Sequence, residues 1–294
     1  MEKSSREGLT LSGLGDLTGF WKVKYGVCTW IFGEEPLAET AARLAAQGYD
    51  GVELLGDLAR YRPKAVRRTL AEHGLAVLSL TPLDYDLAHP DTAVRAQAVD
   101  YYQRLLEFAV TVGCPIVSGH GAVGRVRPIA TQAEEYDLLV HSLKLLARRA
   151  QSLGLTIVLE CLNRYESHLL NTAAQALQCL ADVGSPTAVG VLLDAYHMNI
   201  EEADPAVAIR AVGQHLALFH VADSNRQAVG RGHTDFAGLL RALRAIGYHG
   251  SIIVECTAAG PDPFTPVKGP GWREEVARYT AESLHRLRQY AAKL

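Results

Sequence analysis

The sequence predicts an α/β fold in one domain, a (β/α)8 TIM barrel behind a short N-terminal tail. Three observations carry that prediction. Eight short apolar runs alternate with longer stretches of helical periodicity along the 294 residues. No hairpin turn signal joins one run to the next, so the strands are expected to lie parallel. Several helical stretches end in glycine just before the next run, at Gly48, Gly74, Gly113, Gly154 and Gly247; glycine supplies the left-handed conformation there without a Cβ clash. Eight strand–helix units in about 250 to 300 residues close most economically into a barrel. The rival doubly wound sheet lacks a GxGxxG after its first strand.

The elements follow in order. YGVCTW, residues 25–30, is the first strand, followed by a helix over 36–47. GVELL at 51–55 precedes a helix over 63–72, and AVLSL at 76–80 precedes a long one over 92–112. A short strand at 116–118 leads to a helix over 134–153, and TIVLE at 156–160 to one over 172–182. VGVLLD at 189–194, LALFH at 216–220 and SIIVE at 251–255 complete the strands, with helices over 205–212, 236–246 and 272–294. Residues 1–22 read as a polar tail and 23–294 as the barrel, with no linker that would split the chain.

Composition narrows the class. Hydrophobic residues make up 48% and charged residues 21%, far from the composition of disordered chains. The net charge of −3, with signs interspersed, offers neither a basic footprint for nucleic acid nor a basic amphipathic face for a membrane surface. No apolar run approaches the roughly 18 residues of a membrane span, and the first twenty residues lack the apolar core of a secretory signal. The five cysteines, Cys28, Cys114, Cys161, Cys179 and Cys256, are odd in number and never form a CxxC pair. That fits a reducing cytoplasm, with thiols serving as small buried hydrophobes. Cys161 and Cys256 each follow a glutamate, and strand alternation turns them toward the helices.

In such a barrel the C-terminal strand ends converge on one open face, where active sites sit. The last four strands end with Glu160, Asp194, His220 and Glu255. A carboxylate behind four hydrophobes is costly unless paired, hydrogen-bonded or metal-bound. Strand capping or pairing with a basic side chain accounts for any one of these residues, but poorly for four consecutive strands. Three carboxylates and one imidazole make an oxygen-rich site for Mn²⁺, Mg²⁺ or Co²⁺ and a poor structural zinc site. Glu166, His197 and Arg226 lie in the following loops and together offer donors and acceptors for a polyhydroxylated ligand. Asn199, Asp223 and His233 are expected to organise loops instead. Trp30, Glu53 and His120 end the first, second and fourth strands. Trp30 is expected as an apolar wall, Glu53 as a hydrogen-bonding residue at the barrel mouth, and His120 as a substrate contact or second base.

The segments Glu160–Cys–Leu–Asn–Arg–Tyr–Glu166, Asp194–Ala–Tyr–His197–Met–Asn–Ile–Glu–Glu and His220–Val–Ala–Asp–Ser–Asn–Arg226 resemble those of the ketose 3-epimerases, the D-tagatose and D-allulose 3-epimerase enzymes of the xylose-isomerase-like barrels. Gly230–Arg–Gly–His233 and Ile253–Val–Glu255 match as well, as do the spacings of 34, 26 and 35 residues between the four proposed ligands. The resemblance implies a divalent ion, usually Mn²⁺, held by Glu160, Asp194, His220 and Glu255. It also implies that Glu160 and Glu255 form the acid/base pair, and that Glu166, His197 and Arg226 hold the O1–O2 end of a small sugar. A homodimer or homotetramer is implied too. Two pocket-bordering segments depart from the pattern: Ser118–Gly119–His120–Gly121 where the family has an aromatic residue, and CTAAGPDPFTPVKGPGW after Glu255.

The expected chemistry is inversion of C3 of a free ketose through a cis-enediolate, one glutamate removing the proton and the other returning it. Aldose–ketose isomerisation, or elimination by a 3-oxo-sugar lyase or dehydratase, would use the same enolate differently. An abasic-site endonuclease would need a His-rich multi-metal cluster and a basic groove. A non-catalytic sugar-binding protein would not need two glutamates flanking a metal.

Overall fold

The structure, a computed structural model, describes residues 21–294; the expected tail lies outside the described residues except for Trp21 and Lys22. Eight parallel strands close into a barrel in chain order, β1 (Lys24–Cys28), β2 (Gly51–Leu55), β3 (Ala76–Thr81), β4 (Ile116–Gly119), β5 (Thr156–Glu160), β6 (Val189–Asp194), β7 (Leu216–Val221) and β8 (Ser251–Val254). β8 returns to pair with β1, from Lys24↔Ser251 to Val27↔Val254, which leaves no open sheet edge. Around it run α1 (Leu37–Gln47), α2 (Pro63–Glu72), α3 (Thr92–Val112), α4 (Gln132–Leu153), α5 (Ala173–Val183), α6 (Ala195–Glu201), α7 (Pro205–Val212), α8 (Phe236–Ala245) and α9 (Trp272–Ala291). The predicted barrel is therefore the observed one.

The local chemistry explains the boundaries. Gly48 at φ 90° and Gly113 at φ 76° stop α1 and α3 in the left-handed conformation. Gly51 begins β2 where a Cβ would stand 2.3 Å from the carbonyl oxygen of Ala76, so β2 and β3 approach closely only because it has none. α4 starts at Gln132, two residues before its expected start. Thr131 caps it, and Glu134 reaches back to the Thr131 N–H in a capping box. Thr172 and Gln175 do the same for α5.

Three expectations are corrected. Glu53, expected to end the second strand, sits at the centre of β2, two residues before Leu55. β1 stops at Cys28, and Trp30 sits in a single 3-10 turn, Thr29–Phe32. His197 and Asn199, expected in a loop, lie on α6, because the Asp194 side chain accepts the Tyr196 N–H at 2.8 Å and starts a helix directly at the strand end.

A buried charge cluster ties together three loops on the site side. Glu135, with no solvent exposure, accepts the N–H groups of Ile129 at 2.5 Å and Ala130 at 2.9 Å, and is bonded by Arg125 and by His168 Nε2 at 2.8 Å. Arg125 also reaches Asp86 at 3.0 Å. Burial alone would raise the Glu135 pKa, but these N–H groups and the guanidinium pull it from 4.5 down to about 2. The stabilisation, on the order of 3 kcal/mol, is complete above the unfolded value and is lost as pH falls toward the folded one. Glu135→Gln is expected to lower unfolding stability by about 3 kcal/mol near neutral pH. Urea denaturation would measure it, and a loss under about 1 kcal/mol would refute this role for the cluster.

Candidate active site

The strand ends bring four side chains to one point. One ligand atom from each of Glu160, Asp194, His220 and Glu255 lies within 4.8 Å of the others. All four are buried. Glu160 ends β5 and Asp194 ends β6, while His220 is the penultimate residue of β7. Glu255 follows β8 by one residue, its N–H held by the Val221 carbonyl at 3.0 Å. His220 Nδ1 stands 3.5 Å from Glu255 Oε2 and 3.8 Å from Glu160 Oε1, and it has no hydrogen-bond partner. A buried ring nitrogen facing carboxylate oxygens, with no lysine among them, is a donor set that fits a hard divalent cation.

The protons of this cluster are unevenly held. Burial, with Glu255, Glu53 and Asp194 adding to it, raises the Glu160 pKa well above the usual carboxylate range. Burial likewise lifts Asp194 to about 6, against the pull of Arg226. Glu255 is buried as deeply, yet Arg226, His220 and the Trp30 N–H together hold it well below its usual value. His220 is raised, because Glu53 and Glu255 outweigh the cost of burying its charge.

The remaining residues surround one cavity of about 290 Å³. Glu160, Glu166, His197, Arg226 and Glu255 line it, with Trp30 and His120, so the structure brings together every sequence-predicted contact; Asp194 and His220 lie in the cluster at its floor. Arg226 Nη2 donates to Glu255 at 3.0 Å, its Nη1 lies 3.4 Å from Asp194, and its guanidinium sits 4.5 Å over the Tyr196 ring. His197 Nδ1 accepts the Asn163 N–H at 3.2 Å, which assigns the ring proton to Nε2, 3.5 Å from Asp194. Burial first, and then Arg226, hold His197 neutral, its pKa well below the usual value. Asn163 Nδ2 donates to Glu166 at 2.8 Å.

Trp30 is more than the expected apolar wall: its indole N–H donates to Glu255 Oε1 at 2.6 Å. His120 is buried, and burial lowers its pKa to about 4, so it meets a ligand as neutral imidazole. Asp223 organises its loop as expected, accepting the N–H groups of Ser224, Gly230 and Thr234 at 2.7, 2.8 and 3.1 Å. His233 is bonded to Ser224 outside the cavity. Asn163, Tyr196 and Glu53 complete the site and were not assigned from sequence to holding a substrate or a metal. Glu53 sits beneath His220, its Oε2 at 3.1 Å from Nε2. All five cysteines are buried and free, and Cys161 Sγ faces the Thr172 carbonyl at 3.4 Å, away from the cluster.

Comparison with known proteins agrees with this geometry. Residues 41–289 match the model of the xylose isomerase-like TIM barrel family. The chain is 34% identical over 219 residues to an L-ribulose 3-epimerase of Mesorhizobium japonicum, covering 73% of each protein. It is 30% identical over 250 residues to a 3-dehydro-D-guloside 4-epimerase of Escherichia coli, covering 82% of this chain and 95% of the relative. The crystal structure of a D-psicose 3-epimerase with D-tagatose from Clostridium cellulolyticum H10 shares the fold at a TM-score of 0.83 and 24% identity, covering 92% of this chain and 99% of that one. Among the described residues, no helix is long and apolar enough to cross a membrane. The chain belongs to the xylose isomerase-like TIM barrel family, among its ketose 3-epimerases, and is an isomerase of carbohydrates.

Proposed function

We propose that this enzyme is a metal-dependent epimerase that inverts C3 of a free ketose. One observation carries the reading: two glutamates from different strand ends, Glu160 and Glu255, line the same cavity and share one four-residue cluster, so a sugar bound there meets a carboxyl group from each. Two carboxyl groups on one cavity can remove a proton from a bound carbon and return one to it. Glu160, Asp194, His220 and Glu255 would hold a divalent ion, Mn²⁺ in our reading, with Co²⁺ or Mg²⁺ able to replace it. That ion would polarise the C2 carbonyl as a Lewis acid.

The protein's own residues do the rest. Glu255 accepts the C3 hydrogen as a proton, and the electron pair moves into a cis-enediolate. Glu160, protonated from solvent in the sugar-bound complex, then delivers that proton to the opposite face of C3, and the reverse reaction exchanges the two roles. Arg226, fixed by Glu255, Asp194 and the Tyr196 ring, places positive charge beside the developing oxyanion. His197 and Glu166, both tied to Asn163, orient the hydroxyl groups of the O1–O2 end. His120 hydrogen-bonds a hydroxyl further along, and Trp30 keeps Glu255 in place.

A non-phosphorylated substrate fits the surrounding charge. Arg164 is bound to Glu201 at 2.8 Å, and Arg231 to Glu282 at 2.6 Å. Arg60 at the cavity mouth spends donors on the carbonyls of Gly33 and Glu35 at 3.2 and 2.7 Å. The cavity volume lies at the small end of the range for ligand pockets, about 300 Å³ upward, which suits a monosaccharide. In keeping with the resemblance, the enzyme is read as a cytoplasmic homodimer or homotetramer.

The similarity to a 3-dehydro-D-guloside 4-epimerase supports a second reading, in which the ketone is at C3 and the inverted carbon is C4. One experiment separates the two. The Mn²⁺-loaded enzyme is incubated in D₂O with free ketoses, ketose phosphates and 3-keto-glycosides, and the products are followed by NMR. Deuterium at C3 of a free ketose, with its epimer, is the expected result. Label at C4 of a keto-glycoside alone would favour the second reading, and a higher kcat/KM for a ketose phosphate would overturn the non-phosphorylated substrate.

A further inference from the structure

We propose that Glu53 is a positioning residue that fixes the tautomer and orientation of His220, so that Nδ1 is the nitrogen presented to the metal. The proposal rests on the metal reading above. Glu53 is in the middle of β2, fully buried, and reaches His220 from 167 positions away in the chain. An ionised carboxylate has about four acceptor sites, and here each is filled. Oε1 accepts from Thr81 Oγ1 and faces Cys28 Sγ at 3.4 Å. Oε2 accepts from Ser79 Oγ at 2.6 Å and from His220 Nε2 at 3.1 Å.

Two consequences follow. Cys28, Glu53 and Glu255 also bring three ligand atoms within 4.8 Å of one another, but Glu53 has no lone pair left for a second cation. Its role is that of an outer support. Because Glu53 can only accept, His220 must donate through Nε2, which leaves the lone pair on Nδ1. That nitrogen is the buried, unpartnered atom facing Glu160 and Glu255. A carboxylate behind a ligating imidazole raises its basicity and holds the ring in plane, and losing such a partner typically costs about 10–100-fold in metal affinity.

The test measures metal binding and protonation, not turnover. Mn²⁺ affinity of the metal-free full-length protein is determined by competition with a chelating dye, for wild type and Glu53→Gln. In parallel, ¹⁵N-histidine NMR of the Mg²⁺-loaded protein reports which His220 nitrogen carries the proton. Glutamine at 53 can donate its amide N–H to Nε2 and move the ring proton to Nδ1, where it blocks the ion. The expected result is a proton on Nε2 in wild type, and in Glu53→Gln an affinity about 10–100-fold lower with the Nε2 proton signature lost. Equal affinity in the two proteins overturns the proposal, as does lowered affinity with an unchanged proton pattern. Should the variant not fold, the wild-type spectrum still decides, because a proton on Nδ1 with the metal on Nε2 is incompatible with it. A wild type that binds Mn²⁺ but epimerises nothing would count against the substrate reading alone.

Discussion

Glu255→Gln and Glu160→Gln are each expected to abolish net epimerisation, with kcat falling by about 10²–10⁴ or more, the range for loss of a positioned acid or base. Glutamine keeps the size of the side chain and its bonds to Trp30 or Arg226 in part, but it cannot take up a proton. The glutamate that remains can still exchange the C3 hydrogen of the epimer that presents that hydrogen to it. In D₂O the two variants should therefore label opposite epimers without interconverting them. Both residues are proposed ligands, so metal content must be measured on the same samples, since an empty site would also be inactive. Near-wild-type interconversion by either metal-loaded variant would end the two-glutamate mechanism.

Removing the divalent ion is the second large effect. Exhaustive chelation is expected to reduce turnover to background, with Mn²⁺ or Co²⁺ restoring it best. The pH dependence has a definite sign. Asp194, lifted by burial to about 6, and Glu160, raised by burial as well, favour protons that a cation must displace. Mn²⁺ affinity should therefore fall as pH drops, by at least about tenfold between pH 7.5 and 5.5. Full activity in protein shown by elemental analysis to be metal-free would defeat the metal requirement.

Much of this site was legible before any coordinates, for physical reasons. TIVLE, VGVLLD and SIIVE each break an apolar run with a carboxylate, and the cost of burying that charge makes the break informative. What the sequence hid depends on partners far along the chain. Glu53 reads as one polar residue in GVELL until Ser79, Thr81 and His220 are folded around it. Asn163 reads as a turn residue until His197 arrives beside it on α6. That helix leaves little trace in the sequence, because it has only seven residues and its cap, Asp194, is also a strand-end carboxylate. Trp30 was read by its bulk, while its contribution to Glu255 is a single N–H. The early start of α4 did have a local signal, the Thr131–Glu134 capping pair.

The pairing of β1 with β8 also governs when the enzyme can come into being. Trp30 precedes the carboxylate it holds by 225 residues, a stretch the ribosome needs roughly 10–45 seconds to add. During that interval the nascent chain carries Glu160, Asp194 and His220 without the strand that closes the ring. No shorter intermediate of synthesis contains a finished site, so the proposed sugar chemistry cannot begin on the ribosome before β8 has emerged and docked. Assembly of the catalytic centre is thus a late folding event, and a chain halted before Glu255 would be inert however much of the barrel it had built.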